Sequence, residues 1–297
     1  MGLFDFFSRK KKNTPAAPET NEPDMTLLEK TEVLPGLLLP KAFALHWSEL
    51  EKTRLSCIAI TAAPAADLAL EQSKLGHYPC MPAGFDYPRD AEGRYMYPLA
   101  QINCKELPPL PGYPTSGYLQ FYISGFDDVY GIDFENPQSQ KNFRVLYFEE
   151  EQVEQYKTDF SFLDSVLESA EVPVNKPHVL SFATKDDYVG PGDVRADKHD
   201  FTIARIVMSY PSIEDELEEA AYDCFQPGGH KIGGYAGFTQ DDPRIGNEAI
   251  ENYILLFQLD SGDEIMWGDS GIANFFIHPD DLARKDFSKV LYNWDCC

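Results

Sequence analysis

Chemistry needs reactive side chains at workable spacings, and the chain offers a few candidates. Gly268-Asp269-Ser270-Gly271 has the residues of a serine nucleophile loop. Such a serine needs a histidine base, a buried aspartate and an oxyanion hole. No histidine stands in a matching context, so a β-turn is the better account. No GxSxG elbow occurs. Gly228-Gly229-His230-Lys231-Ile232-Gly233-Gly234 is glycine-rich with one lysine. A phosphate cradle wants a strand before it and a helix after it. Here a helical pattern comes first, and Tyr235 stands where a P-loop carries lysine, so a helix-to-strand turn is expected. Asp260, Asp263, Glu264 and Asp269 gather acids beside Trp267. Carboxylates of this kind suit Ca²⁺, but the EF-hand spacing is missing. His46, His77, His178, His199, His230 and His278 show neither HExxH nor HxH spacing. No catalytic residue, metal site or cofactor is expected from these patterns. Cys57, Cys80, Cys104, Cys224, Cys296 and Cys297 contain no CxxC pair, and the terminal two read as reduced thiols.

These residues must be held by elements that the sequence also predicts. Lys41 to Arg54 has helical spacing. Cys57–Thr61, Met96–Asn103, Gly117–Ser124 and Asn142–Phe148 read as strands rich in branched and aromatic residues. The clearest helix runs from Ile213 to Phe225, capped by Ser212, with one apolar face and a crowd of acids elsewhere. Tyr253–Leu259, Glu264–Trp267 and Ile272–His278 read as three further strands. A short helix over Pro279–Phe287 and a strand over Val290–Trp294 follow. Strands outnumber helices without βαβ alternation, which predicts an α+β fold of mainly antiparallel sheets with peripheral helices.

Length and charge bound the function. The 297 residues suffice for a sizeable core. Twenty-five Lys and Arg face 49 Asp and Glu, a net charge of −24. That excess excludes a dedicated nucleic-acid binder, which needs clustered cations. No apolar run is long enough to cross a bilayer, so integral membrane contact is not expected. Residues 1–24 read as a separate flexible tail, with 25–297 as the globular body. Within the tail, Gly2-Leu3-Phe4-Asp5-Phe6-Phe7 precedes Arg9-Lys10-Lys11-Lys12. Weak peripheral tethering to an anionic leaflet by residues 3–12 is one reading of it, and an inert leader the other. No secretory signal is visible and cysteines are sparse, so a cytoplasmic location is expected.

The most informative feature is self-similarity. Ser73-Lys74-Leu75-Gly76-His77-Tyr78 resembles His230-Lys231-Ile232-Gly233-Gly234-Tyr235. Leu99-Ala100-Gln101-Ile102-Asn103 resembles Leu256-Phe257-Gln258-Leu259-Asp260. Ser116-Gly117-Tyr118-Leu119-Gln120-Phe121-Tyr122-Ile123 resembles Ser270-Gly271-Ile272-Ala273-Asn274-Phe275-Phe276-Ile277. Nine of these 19 positions are identical, and Lys-to-Gln spacing is 27 in both copies. Each half also carries a Pro-Arg pair, Pro88-Arg89 and Pro243-Arg244. An internal duplication is expected, with pseudo-symmetric halves at roughly 56–148 and 202–294 packed as one globular body. Gln101 and Gln258 lie in apolar strands, so their amides must find partners, expected to be main-chain groups.

The same blocks carry a resemblance. Gln72-Ser73-Lys74-Leu75-Gly76, Pro98-Leu99-Ala100-Gln101-Ile102-Asn103 and Asn142-Phe143-Arg144-Val145-Leu146-Tyr147-Phe148 resemble the YwqG-like family (DUF1963), a bacterial domain of unknown function. So do Leu256 to Asp260, Ile265-Met266-Trp267-Gly268-Asp269-Ser270-Gly271 and Phe275-Phe276-Ile277. The resemblance covers roughly Lys41 to Trp294. His77 departs from the glycine associated with that position. It implies a compact bacterial α+β protein with no established reaction, and it raises an immunity role beside toxin systems.

Two functions follow. The first is a non-catalytic binding or protein-interaction module, immunity-type in one version, whose acidic surface meets a basic protein partner. The second is an enzyme or small-molecule receptor with its site at the seam between the halves. Its binding residues would be Lys231, Gln258, Asp260, Trp267 and Asp269, with Lys74 and Gln101 as their counterparts.

Overall fold

A computed structural model of the chain describes residues 23–198, 202–225, 227–262 and 264–297. Residues 1–22, with the expected tethering run at 3–12, lie outside them, as do His199 and Asp263.

Apolar and aromatic runs pair into one ten-stranded sheet. Its strands are β3 (Leu55–Pro64), β4 (Lys74–Leu75), β5 (Tyr97–Asn103), β6 (Tyr118–Ile123), β7 (Phe143–Phe148), β8 (His178–Asp187), β9 (His230–Gly233), β10 (Ile254–Asp260), β11 (Ile272–Ile277) and β12 (Leu291–Asp295). Their spatial order is β12-β11-β10-β9-β3-β8-β4-β5-β6-β7, and every pairing is antiparallel. The longest ladder is central, with β3 and β8 matched from Leu55↔Asp187 to Pro64↔His178. On one side of it β3 pairs with β9, and on the other β8 pairs with β4.

The two wings beyond this centre follow the same plan. β4 meets β5 with Lys74 opposite Gln101, and β9 meets β10 with Lys231 opposite Gln258. The β5–β6 register slips between Pro98 and Ala100, and the β10–β11 register slips between Leu255 and Phe257. Gln101 then faces Gln120, and Gln258 faces Asn274. Gly76 and Gly233 both take positive φ, 63° and 73°, a conformation that glycine enters without a Cβ penalty.

The wings curl over one another into a near-barrel. Phe121 of β6 lies 4.7 Å from Phe257 and 4.8 Å from Phe275, and Phe143 of β7 lies 5.2 Å from Tyr292. Rings at such separations fill the interior with apolar surface. The remaining gap between β7 and β12 is bridged by the segment 136–140. Tyr292 N–H donates to Pro137 O (2.9 Å), Gln140 Nε2 to Phe287 O (2.6 Å), and Val145 N–H to Gln140 Oε1 (2.9 Å).

A second layer packs outside the sheet. The hairpin of β1 (Lys30–Leu34) and β2 (Leu37–Pro40) adjoins α1 (Lys41–Ala44), α2 (Trp47–Leu50), α4 (Ile203–Met208) and α5 (Glu214–Phe225), with Phe43, Leu50, Ile206, Leu217 and Phe225 buried together. In α5, Leu217, Ala221 and Phe225 recur every fourth residue, so one stripe is buried. Two short helices, α3 (Asp164–Ser169) and α6 (Pro279–Ala283), complete the α-helices among the described residues.

Several sequence expectations need correction. Lys41 to Arg54 is not one helix: the chain turns at His46, so that Phe43 reaches Phe225 and Trp47 reaches Tyr188. Glu264–Trp267 is not a strand. Glu264 has φ 69°, and Ile265 forms only isolated bridges to Val174 and Gly262. The helix after Pro279 stops at Ala283, because Lys285 turns left-handed. Ser212 lies inside a 3₁₀ turn, Pro211–Ile213, that opens α5. β1, β2, β4, β8 and β9 lie outside the expected strands: β4 and β9, of two and four residues, are too short to show a periodicity, and the ten-residue β8 ends in the polar run Thr184-Lys185-Asp186-Asp187.

Candidate functional site

Local sequence places the singled-out lysines and glutamines side by side in the sheet, and burial decides what they do there. Gln101 Oε1 accepts from Cys80 N–H (2.6 Å), while its Nε2 donates to Leu70 O (2.7 Å) and Gln72 O (3.0 Å). Gln258 repeats this: Oε1 accepts from Gly237 N–H (2.8 Å), and Nε2 donates to Pro227 O (2.9 Å) and Gly229 O (2.8 Å). Both amides are saturated by loop backbone, which pins each loop to its strand. The next strand adds a second amide to each loop. Gln120 Nε2 donates to Cys80 O (2.5 Å), and Asn274 Nδ2 to Gly237 O (2.8 Å).

The two lysines differ. Lys74 Nζ donates to Ala69 O (2.6 Å) and Leu70 O (2.9 Å), and burial pulls its pKa down to about 8. Lys231 Nζ lies 2.6 Å from Asp187 Oδ2, with both side chains at most 5% exposed. Burial lowers the Lys231 pKa, against the pull of Asp187. Asp187 also accepts from Tyr235 N–H (3.3 Å). Gly234 makes room for it, as a Cβ there would stand 2.4 Å from Asp187 Oδ2. The adjacent Cys57 thiol is pushed up to about 12 by burial and then by Asp187, so it carries no thiolate at neutral pH.

The other predicted site residues are dispersed. Trp267 is fully buried against Tyr130 and Trp294. Asp260 accepts from Gly229 N–H (2.6 Å) and Ser261 N–H (2.8 Å), closing a turn. Asp269 is exposed. The Gly268–Gly271 segment is a turn in which Gly271 N–H donates to Trp267 O (2.7 Å), with Gly268 and Ser270 both left-handed. Glu264 pairs with Lys176 (2.6 Å) rather than with the other acids. Among the described residues, no group of three or more His, Cys, Asp or Glu is placed to hold a metal ion.

Sequence reasoning missed a buried ionic network. Asp193 takes Arg195 through two hydrogen bonds of 2.7 Å and also receives Arg244 (3.1 Å). Arg244 is fully buried, forks onto Asp242 (2.8 and 2.6 Å) and donates to Tyr253 O (2.8 Å). Burial works to raise the Asp193 pKa, but the two guanidiniums outweigh it and hold the carboxyl at about 2. Arg89, of the other Pro-Arg pair, is exposed and lies over Tyr95. The two pairs therefore do not share a role. Only the Pro-Arg match hinted at this network.

A shallow pocket of about 60 Å³ opens beside it. Tyr222 and Phe225 of α5, Phe238 and Ile245 wall it, and Tyr222 and Ile245 are well exposed. The same helix exposes Asp215, Glu216, Glu219 and Asp223. An apolar dimple beside carboxylates can seat an apolar side chain flanked by cations.

A family model described as a domain of unknown function, DUF1963, matches residues 73–296. No curated protein matches the chain.

Proposed function

This chain belongs to the DUF1963 family, and from that premise we propose that it is a non-catalytic binding module. Its acidic surface meets a basic protein partner, in the manner of an immunity-type protein. The carrying observation is the use made of the polar residues at the seam. Lys74, Gln101, Lys231 and Gln258 are buried and spent on backbone carbonyls, amides and Asp187. A general base or nucleophile needs access to its substrate, and these groups have none. The exposed acids of α5 and the neighbouring apolar pocket, by contrast, face outward. Opposite potentials speed encounter, and a seated apolar group slows release.

The repeated register of the two wings supports a finer reading of the fold, in which one ancestral unit was doubled. The halves then share a core, and each lends its first long strand to the other: β3 to β9 and β8 to β4. Six free thiols fit a bacterial cytoplasm.

Co-purification of the tagged full chain at low salt, followed by identification of what elutes as salt rises, tests the binding reading. A cationic protein is expected. Asp215→Lys with Glu219→Lys should reduce its affinity roughly tenfold, about 1.4 kcal/mol, with the fold intact. Failure to find any salt-released cationic partner would end the proposal.

A further inference from the structure

The pocket beside the buried ionic network is small. At about 60 Å³ it falls far below the range of small-molecule sites, so it fits one inserted side chain. Tyr222 and Phe225 of α5 wall it with Phe238 and Ile245, and Tyr222 and Ile245 are 41% and 53% exposed. Asp215 and Glu219, both exposed, stand seven and three residues before Tyr222 on the same ridge of the helix. The face therefore suits an apolar anchor continued by cations.

The chain itself carries such a segment. Phe4, Phe6 and Phe7 are followed, after Ser8, by Arg9-Lys10-Lys11-Lys12. The segment lies outside the described residues, and the start of the described chain fixes where it is tethered. Asp24 Oδ1 accepts from Thr26 N–H (3.1 Å) and caps the turn Met25–Leu28. Leu27 and Leu28 of that turn pack against the cluster that holds Leu217, Ala221 and Phe225 of α5. From Lys12 to Pro23 the chain can reach at most about 40 Å, whereas the 12 residues of α5 measure about 18 Å. The pocket is thus within reach. Arg9 to Lys12 can span at most about 11 Å, and Asp215 to Tyr222 rises about 10 Å along the helix. A short tether holds the segment at an effective concentration on the order of 1 mM, so a contact with a dissociation constant of about 0.1 mM is about nine-tenths formed. An anionic leaflet attracts the same cations, but it repels a chain of net charge −24.

We propose that residues 4–12 dock on this face of their own chain, with the ring of Phe6 or Phe7 in the pocket and Arg9 to Lys12 along Asp215 and Glu219. The segment guards the face and yields it to a basic partner that binds more tightly. The inference rests on the reading of α5 as a face for basic, apolar-anchored sequences, and adds an occupant that the chain supplies.

Carbodiimide coupling of the full chain at low salt tests it, since the reagent joins a carboxylate to an amine with loss of water. Peptide mapping of the monomer is expected to find Lys10, Lys11 or Lys12 linked to Asp215 or Glu219. Phe6→Ser with Phe7→Ser keeps every charge and lies outside the described body. Loss of both rings weakens such a contact about a hundredfold and takes its occupancy to about one-tenth, so the yield of those links should fall roughly tenfold. An unchanged yield in that variant, links spread over acids elsewhere on the body, or links found only between two chains each overturns the docking. Sedimentation of the wild type with phosphatidylserine vesicles, without links to α5, makes the segment a membrane contact and overturns it too. A cationic partner recovered by salt elution while α5 links are missing sinks this inference alone. Links to α5 without any such partner sink only the partner.

Discussion

At the scale of single residues, Phe276 lacks a hydroxyl that its match in the other wing uses. Tyr122 O–H donates to Gln120 Oε1 (2.5 Å), whereas the buried Asn274 Oδ1, two residues before Phe276, has no partner. Phe276→Tyr is expected to supply the missing donor and stabilise the protein by about 1 kcal/mol, read as a shift in urea midpoint. No gain would mean that the oxygen is satisfied some other way. Lys74 supports a second prediction. Its pKa is about 8 in the folded chain and 10.5 when unperturbed. Below pH 8 both folded and unfolded chains hold the proton, and the burial penalty is fully present. Between pH 8 and 10.5 the folded chain sheds it first, so this group's contribution rises with pH, by about 3 kcal/mol in all. Buried tyrosines and cysteines act in the opposite direction, but equally in a Lys74→Met variant. The stability difference between wild type and Lys74→Met should therefore shift toward wild type across that window. A flat difference would show that Lys74 is not desolvated.

Elements explain why so few residues near the seam are free. Each wing uses one strand glutamine to fasten a loop, and the loop in turn covers the strand that carries it. The exposed flanks of the sheet are handled differently. β7 and β12 each pair on one side only, and the segment 136–140 covers the other. An uncovered strand edge is a template for association. Gln140→Ala removes the acceptor for Val145 N–H and the donor to Phe287 O. A loss of about 1–3 kcal/mol is expected, along with concentration-dependent association by analytical ultracentrifugation. A monomer of unchanged stability would show that the segment only happens to lie there.

For the whole molecule, the pairing of central strands across long stretches of chain sets cooperativity. β3 pairs with β9, and β8 with β4. Neither the chain before β8 nor the chain from β8 onward can complete the sheet by itself, so the chain should unfold as one unit. Fragments cut in the loop after β7 are expected to lack dispersed amide spectra alone and to recover them when mixed. A well-dispersed spectrum from either fragment by itself would contradict the shared core.

The amino-acid sequence determined the strand-rich class, the positions of β5, β6, β7, β10, β11 and β12 to within one residue, and the family. It also placed Gln101 and Gln258 on loop backbone, because an amide in an apolar strand has to be satisfied. These are local or pairwise consequences of side-chain pattern. Only the tertiary structure decided that Lys231 meets Asp187 and that Arg244 meets Asp193. Those partners are 44 and 51 positions apart in the chain. The order of strands in a sheet is set by which faces bury best together, a property of the assembled core that no local periodicity encodes.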